Sequence, residues 1–367
     1  MMKRWLNVWR LIPLFAVLTF VLTGCGKENL TTLKPKGPVA QDQLWLIGLS
    51  LGIMILVLIT VFIIYAYVLV KFRRRKEHTE YPKQVEGSHT LEIIWTVIPF
   101  VLLLILAVPT IYYTFKLDKD YTQDPNAIQV KVIGHQFWWE FEYLNEKITT
   151  GMELYVPTNR IISFELQSAD VIHSFWVPAL GGKKDTNPGS GAVNHMYLQA
   201  DQEGVYYGKC AELCGTSHAL MDFKVIAVSP EKYDAWVKKM QQPVAVTANA
   251  SEGEKIFKDK CIACHAIYDS DKKGIVGGKV GPNLANYAER QTVAGILFNH
   301  TEENPAINPQ LLKSNLKEWL ADPQKVKPGN LMPNPIKIEG SKMKDDLGLN
   351  EKQVDALVDF ISSQKLQ

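Results

Sequence analysis

The residues with the most specific chemistry lie in one stretch, Cys210-Ala-Glu-Leu-Cys214-Gly-Thr-Ser-His218-Ala-Leu-Met221. Thiolate, imidazole and thioether groups are soft or borderline ligands, and together they favour copper over hard cations. Two thiolates at this spacing can bridge two copper ions, which leaves one histidine for each metal and Met221 as a weak outer ligand. A disulfide between Cys210 and Cys214 is the alternative, but the added histidine and methionine favour a metal site.

A second histidine for such a site must come from elsewhere in the chain. His173 is the best candidate because it follows an alternating strand-like segment, and a sandwich fold can bring it beside the Cys210 loop. His135 and His195 are the competitors, although a lone histidine in a β-domain is more often structural. A rigid, sulfur-bridged copper pair would change its bond lengths little on reduction, which suits electron transfer.

A second signature, Cys261-Ile-Ala-Cys264-His265, has the spacing of a covalent haem attachment sequence. The two thiols add across the haem vinyl groups, and the adjacent histidine is placed to bind the iron. A redox dithiol with a chance histidine is the alternative. The chain has five cysteines, and this odd total argues against simple disulfide pairing.

Two apolar runs predict a membrane hairpin that carries these sites. Residues 44–70 and 93–113 are each long enough to cross a hydrocarbon core of ~30 Å at a rise of ~1.5 Å per residue. The basic cluster at residues 71–76 predicts a cytoplasmic loop. Both outer ends of the hairpin would then lie outside the cell.

The N-terminus has the pattern of a secretory signal, with basic residues followed by an apolar run at 11–22. Cys25 directly follows Gly24, and this arrangement resembles the lipobox of bacterial lipoproteins. The resemblance implies cleavage before Cys25 and diacylation of its thiol. An uncleaved anchor with an incidental cysteine is the alternative.

The rest of the chain divides into segments that differ in their pattern of apolar and polar residues. Residues 128–228 alternate between apolar and polar positions and predict a small antiparallel β-domain, followed by a closing helix at 230–240. The last 117 residues read as helical, and the net charge of +2 gives no indication of nucleic-acid binding. The expected divisions are a signal peptide at 1–24, an external tether at 25–41, a hairpin at 42–117 with its cytoplasmic loop at 71–90, the β-domain at 120–240, a linker at 241–250 and the helical domain at 251–367.

Residues 25–240 resemble subunit II of cytochrome c oxidases, because the motif C-x-E-x-C-x-x-x-H-x-x-M is matched in full from Cys210 to Met221. The resemblance implies a transmembrane two-helix hairpin followed by an all-β cupredoxin-like sandwich with a dinuclear CuA centre. It further implies that the Glu212 backbone carbonyl binds copper and that its side chain reaches a Mg²⁺ ion at the boundary with subunit I.

The same resemblance assigns two further positions. The family motif G-H-Q-W-Y-W corresponds to residues 134–139, where Phe137 replaces the electron-entry tryptophan, so Trp138 and Trp139 are the other candidates for electron entry. Glu92 lies at a membrane boundary, where a carboxylate is a functional candidate by default. The resemblance implies that Glu92 marks the mouth of the K proton channel; an interfacial residue that reaches the headgroups is the alternative.

The C-terminal part resembles all-α class I cytochromes c. This resemblance implies that the Pro282 carbonyl accepts a hydrogen bond from the His265 imidazole, which fixes the ring. It also implies that Met332 is the sixth iron ligand, a choice that raises the reduction potential. Met343 and His300 are the alternatives for that ligand.

These patterns together predict subunit II of a proton-pumping, bacterial cytochrome c oxidase with one fused haem c. Electrons would pass from the haem to CuA and then to subunit I, which reduces oxygen, so the enzyme is the complex. The expected partners are subunits I and III, membrane lipid, and a cytochrome c or a quinol-cytochrome c reductase complex as donor. A CuA-containing nitric oxide reductase and a membrane-tethered copper delivery protein are the competing functions. A quinol-oxidising relative is disfavoured because those proteins have lost the CuA ligands.

Overall fold

A computed structural model describes residues 13, 19, 28–73, 84, 86–241, 251–269, 274–301, 304–335 and 347–365. Cys25, residues 242–250 of the expected linker and Met343 lie outside the described residues, as does all of the expected signal peptide except residues 13 and 19. The described chain consists of a helical hairpin, a β-sandwich and a helical domain.

The hairpin consists of α1 (Pro38–Lys71) and α2 (His89–Leu117). Helix α1 begins at a proline, whose fixed φ and missing N–H suit the first helical position. Helix α2 begins after Ser88, whose side chain caps the first turn. Both helices are long and apolar enough to cross a membrane. Lys116 and Asp42 form an ion pair at 2.6 Å that joins the outer ends of the two helices.

The segment before α1 is bound to the sandwich. The Lys36 N–H donates to the Ala179 carbonyl at 2.7 Å, and the Lys36 carbonyl accepts from the Asp201 N–H at 2.8 Å. Helix α1 follows at once, four residues before the expected boundary at 42. The last part of the expected external tether is therefore held against the β-domain.

The β-domain is a sandwich of two five-stranded sheets. The first sheet has the order β3-β2-β1-β5-β8, and its strands in chain order are β1 (Ile128–His135), β2 (Trp138–Tyr143), β3 (Ile148–Gly151), β5 (Ile162–Ser168) and β8 (Asn194–Leu198). The second sheet has the order β4-β10-β9-β6-β7, and its strands are β4 (Glu153–Pro157), β6 (His173–Trp176), β7 (Lys183–Thr186), β9 (Gly204–Cys210) and β10 (Asp222–Val228).

The expectation of a purely antiparallel domain was wrong at two positions. Strand β1 pairs with β5 in parallel, and β4 pairs with β10 in parallel. Alternation along a strand specifies which face is buried but not which strand lies beside it, so a chain that crosses between sheets can produce parallel neighbours. The core between the sheets is aromatic and includes Trp139, Phe141, Phe164, Phe175 and Phe223. Helix α3 (Pro230–Gln241) closes the domain, and its Trp236 stacks on Tyr155.

The C-terminal domain is mainly helical. Its helices are α4 (Glu252–Lys260), α5 (Pro309–Ala321), α6 (Pro323–Val326) and α7 (Glu351–Ser362). Helix α7 packs against both α4 and α5 around buried residues such as Phe257, Leu316 and Leu357. Two short hairpins add to the expected helices, and their strands are β11 (Ala266–Asp269), β12 (Gly274–Gly277), β13 (Thr292–Val293) and β14 (Leu297–Phe298).

Candidate copper and haem sites

The predicted copper ligands come together at one end of the sandwich. Cys210 ends β9, and its sulfur lies 3.8 Å from the sulfur of Cys214 in the following loop. The sulfur of Cys214 lies 3.7 Å from His218 Nδ1 and 3.8 Å from the sulfur of Met221. His173 begins β6, which pairs with β9, and its Nδ1 lies 3.9 Å from the Cys210 sulfur. One strand pairing therefore brings the distant histidine to the cysteine loop.

The arrangement fits a metal site better than a disulfide. Both thiols are free, and their separation of 3.8 Å exceeds the ~2.05 Å of a disulfide bond. Ligand atoms of His173, Cys210 and Cys214 lie within 4.8 Å of one another, and all three residues are buried. Hydrogen bonding from the Cys214 thiol lowers the pKa of Cys210. Sulfur and imidazole donors in such a cluster suit copper.

Polar neighbours orient these ligands. Asp170 Oδ1 contacts His173 Nε2 at 2.8 Å, which leaves Nδ1 directed at the cysteines. Burial by itself would lower the pKa of His173, but the hydrogen bonds to Asp170 and Cys210 raise it. Asp170 also accepts from the Gln136 N–H at 2.7 Å, and the Gln136 side chain donates to the Cys214 carbonyl. The ligand set is thus ordered by the protein's own hydrogen bonds.

Glu212 lies at this site with its two groups in different surroundings. Its backbone carbonyl accepts from the Cys210 thiol at 3.2 Å. Its side chain is exposed and accepts from the Leu213 N–H at 3.2 Å. The carbonyl is therefore beside the copper ligands, whereas the carboxylate is available at the surface.

The competing histidines lie outside the cluster. His135 stacks on Trp138 with ring centroids 4.2 Å apart, and its Nε2 contacts Glu140 at 3.1 Å. His195 is exposed on β8, which belongs to the first sheet, whereas His173 lies in the second sheet. Of the three candidates, His173 is the one that the fold brings to the two cysteines.

The predicted haem residues line a cavity of about 450 Å³ between the helical domain and the β-domain, to which Phe137 and Trp138 also contribute. Cys261, Cys264, His265 and Met332 all line it, and His300 is not among the lining residues. A cavity of this size is typical of a small-molecule or cofactor site. Its thiols, imidazole and thioether match the groups that attach and ligate a c-type haem.

The histidine is prepared for iron binding by its neighbours. His265 Nδ1 and the Pro282 carbonyl form a hydrogen bond at 2.9 Å, which leaves Nε2 as the metal-binding atom. Burial lowers the pKa of His265 and so favours the neutral imidazole that binds metals. A Cβ at Gly281 would lie 2.4 Å from the imidazole ring, so a glycine permits this close packing. The Met332 N–H donates to the side-chain oxygen of Asn330 at 2.8 Å, and this bond orders the loop that carries Met332.

Phe137 lies between the two sites. A Cβ added at Gly215, in the cysteine loop, would be 3.0 Å from its ring, and one added at Gly329, in the methionine loop, would be 3.6 Å from it. Trp138 lines the haem cavity, whereas Trp139 is fully buried and packs edge-on against His173. The three candidate aromatic residues thus extend from the haem cavity to the copper ligands.

Sequence reasoning missed several residues of this region. The acidic residue three positions before His173 offered a signal for Asp170, since metal-binding histidines commonly pair with a carboxylate. No local pattern indicated Lys327, whose Nζ donates to the Phe137 carbonyl at 2.8 Å across 190 residues of chain. Gly215 and Gly329 have positive φ values of 136° and 78°, but their contacts with Phe137 depend on tertiary structure.

Glu92 lies in the first turn of α2, at the loop end of the hairpin. Its carboxylate is exposed, and His89 Nδ1 lies 3.8 Å from Oε2. The Lys116–Asp42 ion pair joins the two helices at the opposite end of the hairpin. Glu92 and the copper cluster are therefore at opposite ends of this part of the molecule.

Comparison with known proteins gives three family matches. The cytochrome c oxidase subunit II transmembrane domain matches residues 30–112, the subunit II periplasmic domain matches 146–228, and cytochrome c matches 250–365. The chain is 49% identical to cytochrome c oxidase subunit 2 of Bacillus sp. (strain PS3), with 100% of both chains covered. It is 46% identical to cytochrome c oxidase subunit 2 of Alkalihalophilus pseudofirmus, with 100% of this chain and 99% of the other covered.

Among the solved structures, the chain is similar to the periplasmic domain of subunit II of the cytochrome oxidase of Bradyrhizobium japonicum. It is 32% identical and covers 32% of this chain and 96% of its own, with a TM-score of 0.30.

Proposed function

The chain belongs to the cytochrome c oxidase subunit II family and carries a C-terminal cytochrome c domain, and from this premise we propose its electron path. Electrons enter at the haem c, pass to a dinuclear copper centre and leave for subunit I, where oxygen is reduced. The chain is a subunit of the oxidase, and the oxygen chemistry belongs to the complex.

For the copper centre we assign six residues of the cluster described above. They are His173, Cys210, Glu212 through its carbonyl, Cys214, His218 and Met221. When bound, the two copper ions supply a centre that accepts and releases one electron. Asp170 and Gln136 hold the ligands in place, which keeps the rearrangement on electron transfer small. We assign the exposed Glu212 carboxylate to a Mg²⁺ ion at the boundary with subunit I.

For the haem we assign Cys261 and Cys264 as the attachment residues and His265 and Met332 as the axial ligands. When bound, the haem supplies the one-electron acceptor for the outside donor. Pro282 holds the His265 ring through its carbonyl. The side chains that line the cavity are mostly apolar, which together with a methionine ligand favours a high reduction potential.

The observation that carries this proposal is the position of Phe137. A Cβ added at Gly215 or at Gly329 would lie 3.0 or 3.6 Å from its ring, so the ring lies beside both the cysteine loop and the methionine loop. Trp138 adds a second aromatic contact on the haem cavity. We propose that Phe137 and Trp138 form the electron-entry region and that Trp139 supports His173 from the core.

The chain is membrane-anchored through its two apolar helices. We propose that both redox domains lie on the outer face, that the loop between the helices is cytoplasmic, and that Cys25 carries a lipid. In this orientation Glu92 is at the cytoplasmic end of α2, as a proton-channel entrance requires. Proton pumping, association with subunit III, donation by a cytochrome c or a quinol-cytochrome c reductase complex, and the domain divisions at 24, 41, 117, 240 and 250 are parts of the same proposal.

The test is electron paramagnetic resonance and visible spectroscopy on the full-length chain in detergent, loaded with copper and haem. We expect the hyperfine pattern of one electron shared by two copper nuclei, together with a low-spin c-type spectrum. Cys214→Ser should abolish the shared pattern and leave the haem spectrum unchanged, because the Cys214 sulfur contacts Cys210, His218 and Met221 and does not line the haem cavity. A pattern from a single copper nucleus in the unmodified chain would contradict the dinuclear assignment.

A further inference from the structure

The two redox domains meet through buried charges. Glu153 on β4 and Lys224 on β10 are opposite each other in the strand register. Glu153 is 4% exposed and Lys224 is 1% exposed, although both belong to the β-domain. Charged side chains are almost never this buried unless they have partners. In this chain the cytochrome domain supplies part of the partner set.

The β13–β14 hairpin of the cytochrome domain lies against this pair. The Gln291 N–H donates to the Glu153 carboxylate at 2.7 Å. Lys224 Nζ donates to Thr292 Oγ1 at 3.3 Å and lies 4.7 Å from the centroid of the Phe298 ring. Burial raises the pKa of Glu153, and the charges of Lys224 and the nearby Arg290 oppose that rise. The contact therefore consists of hydrogen bonds and opposite charges, and both domains contribute groups to it.

A second contact lies beside the haem cavity. Lys327 is 3% exposed, and its Nζ donates to the carbonyls of Phe137 and Ala294, each at 2.8 Å. The neighbouring Pro328 carbonyl accepts from the Ser217 hydroxyl of the cysteine loop. These bonds join the segment before Met332 to Phe137 of the sandwich and to Ser217 of the cysteine loop. Two separate regions of the cytochrome domain are thus fixed to the sandwich.

Domains joined by a linker are expected to move relative to one another unless their interface is extensive. Buried charges oppose such motion, because separating the domains breaks hydrogen bonds and each return must remove water from the charges again. We propose that the cytochrome domain is a permanently docked donor, held in one orientation by Glu153 and Lys327. The electron step then occurs within a fixed contact and does not wait for a tethered domain to return.

Permanent docking also determines where electrons can enter. Phe137 is 4% exposed and is covered by the methionine loop. An outside donor therefore cannot approach the copper site through Phe137, and on this side of the molecule the haem is the group that a donor can reach. This inference rests on the proposed function only in the electron-transfer readout, since docking itself can be measured separately.

The experiment uses the assembled oxidase with two measurements. The first is the rate of light-triggered electron transfer between haem and copper at increasing viscosity. The second is hydrogen exchange of the backbone at residues 290–293. We expect an unmodified rate that does not depend on viscosity and slow exchange at the Gln291 and Thr292 amides. Glu153→Ala and Lys327→Met should each lower the rate about tenfold at high viscosity and speed the exchange.

Lys325→Met is the matched control, because Lys325 is exposed on α6, the short helix that ends just before Lys327, and it should leave both measurements unchanged. Visible and copper spectra confirm that both centres are assembled in every variant. Viscosity-dependent transfer or rapid exchange in the unmodified oxidase would overturn permanent docking. Slow exchange without electron transfer would leave docking in place and overturn the proposed electron path instead.

Discussion

The copper and haem regions are organised by different means. The proposed copper ligands come from β6, β9 and the loop before β10, and hydrogen bonds with Asp170 and Gln136 already hold them together. The haem residues line a cavity of about 450 Å³ between helices and loops. The first site is arranged by the sandwich itself, whereas the second encloses a volume that the haem must fill. We therefore expect the two domains to respond differently when each loses its metal group.

The largest effect should follow loss of haem attachment. Without the haem, the apolar side chains that line the cavity of about 450 Å³ lose their packing partner, and such a loss destabilises a fold. We expect Cys261→Ala with Cys264→Ala to unfold the cytochrome domain, as measured by circular dichroism and calorimetry. Removal of copper by a chelator should leave the sandwich folded. An equal loss of stability after the two treatments would show that both domains depend on their metal groups to the same degree.

The next effect is a pH dependence that arises from Lys327, where the cytochrome domain contacts the sandwich. Burial lowers the pKa of Lys327 to about 7 from 10.5, with Asp222 and Cys214 opposing the shift and Lys224 adding to it. The unfolded chain therefore binds more protons between these pH values, and the free energy of unfolding should rise with pH by up to about 1.4 kcal/mol per unit.

Calorimetry from pH 7 to pH 10 measures this slope. Lys327→Met should flatten it, whereas Lys325→Met should not, because Lys325 is exposed. A slope that survives Lys327→Met would place its source in another group.

Asp170→Asn sharpens the comparison on the copper side. Asp170 fixes the His173 ring, and loss of such a partner commonly weakens metal binding by about 10–100-fold. We expect copper retention, measured by competition with a chelator, to fall within that range while the fold persists. Asp185→Asn is the control because Asp185 is exposed on β7. Unchanged retention would mean that the strand pairing alone orders the ligands.

Gly329→Ala should have the smallest effect. Its φ of 78° disfavours other residues by about 1–2 kcal/mol, and a new Cβ would lie 3.3 Å from Thr216. Gly348→Ala is a matched control, with a φ of 67° and no heavy atom within 4 Å of the added Cβ. The excess loss of stability in Gly329→Ala measures the contact between the two loops. Equal losses would attribute the whole effect to backbone strain.

The two regions also differ in how far the sequence predicted them. The attachment residues with His265 and the cysteine loop are local patterns, whereas Pro282 and Met332 followed from the family resemblance. The membrane hairpin and the sandwich followed from hydropathy and alternation, and the family matches confirmed this order of domains. Parallel pairing of β1 with β5 was not foreseeable, because periodicity does not identify a neighbouring strand. The bond from Lys327 to Phe137 was likewise beyond local reasoning, since it joins residues 190 positions apart.

The backbone bonds of Lys36 have a mechanical consequence. Its N–H and carbonyl are bonded to Ala179 and Asp201, and α1 begins two residues later at Pro38. Because a single residue separates these bonds from the helix, α1 and the sandwich are held at a fixed distance from each other. In the proposed orientation, this connection sets the distance of the proposed copper ligands from the lipid surface. Each residue inserted between Lys36 and Pro38 would increase the distance from the proposed copper site to its acceptor in subunit I. Under the proposed electron path, the rate of electron transfer would then fall with each insertion.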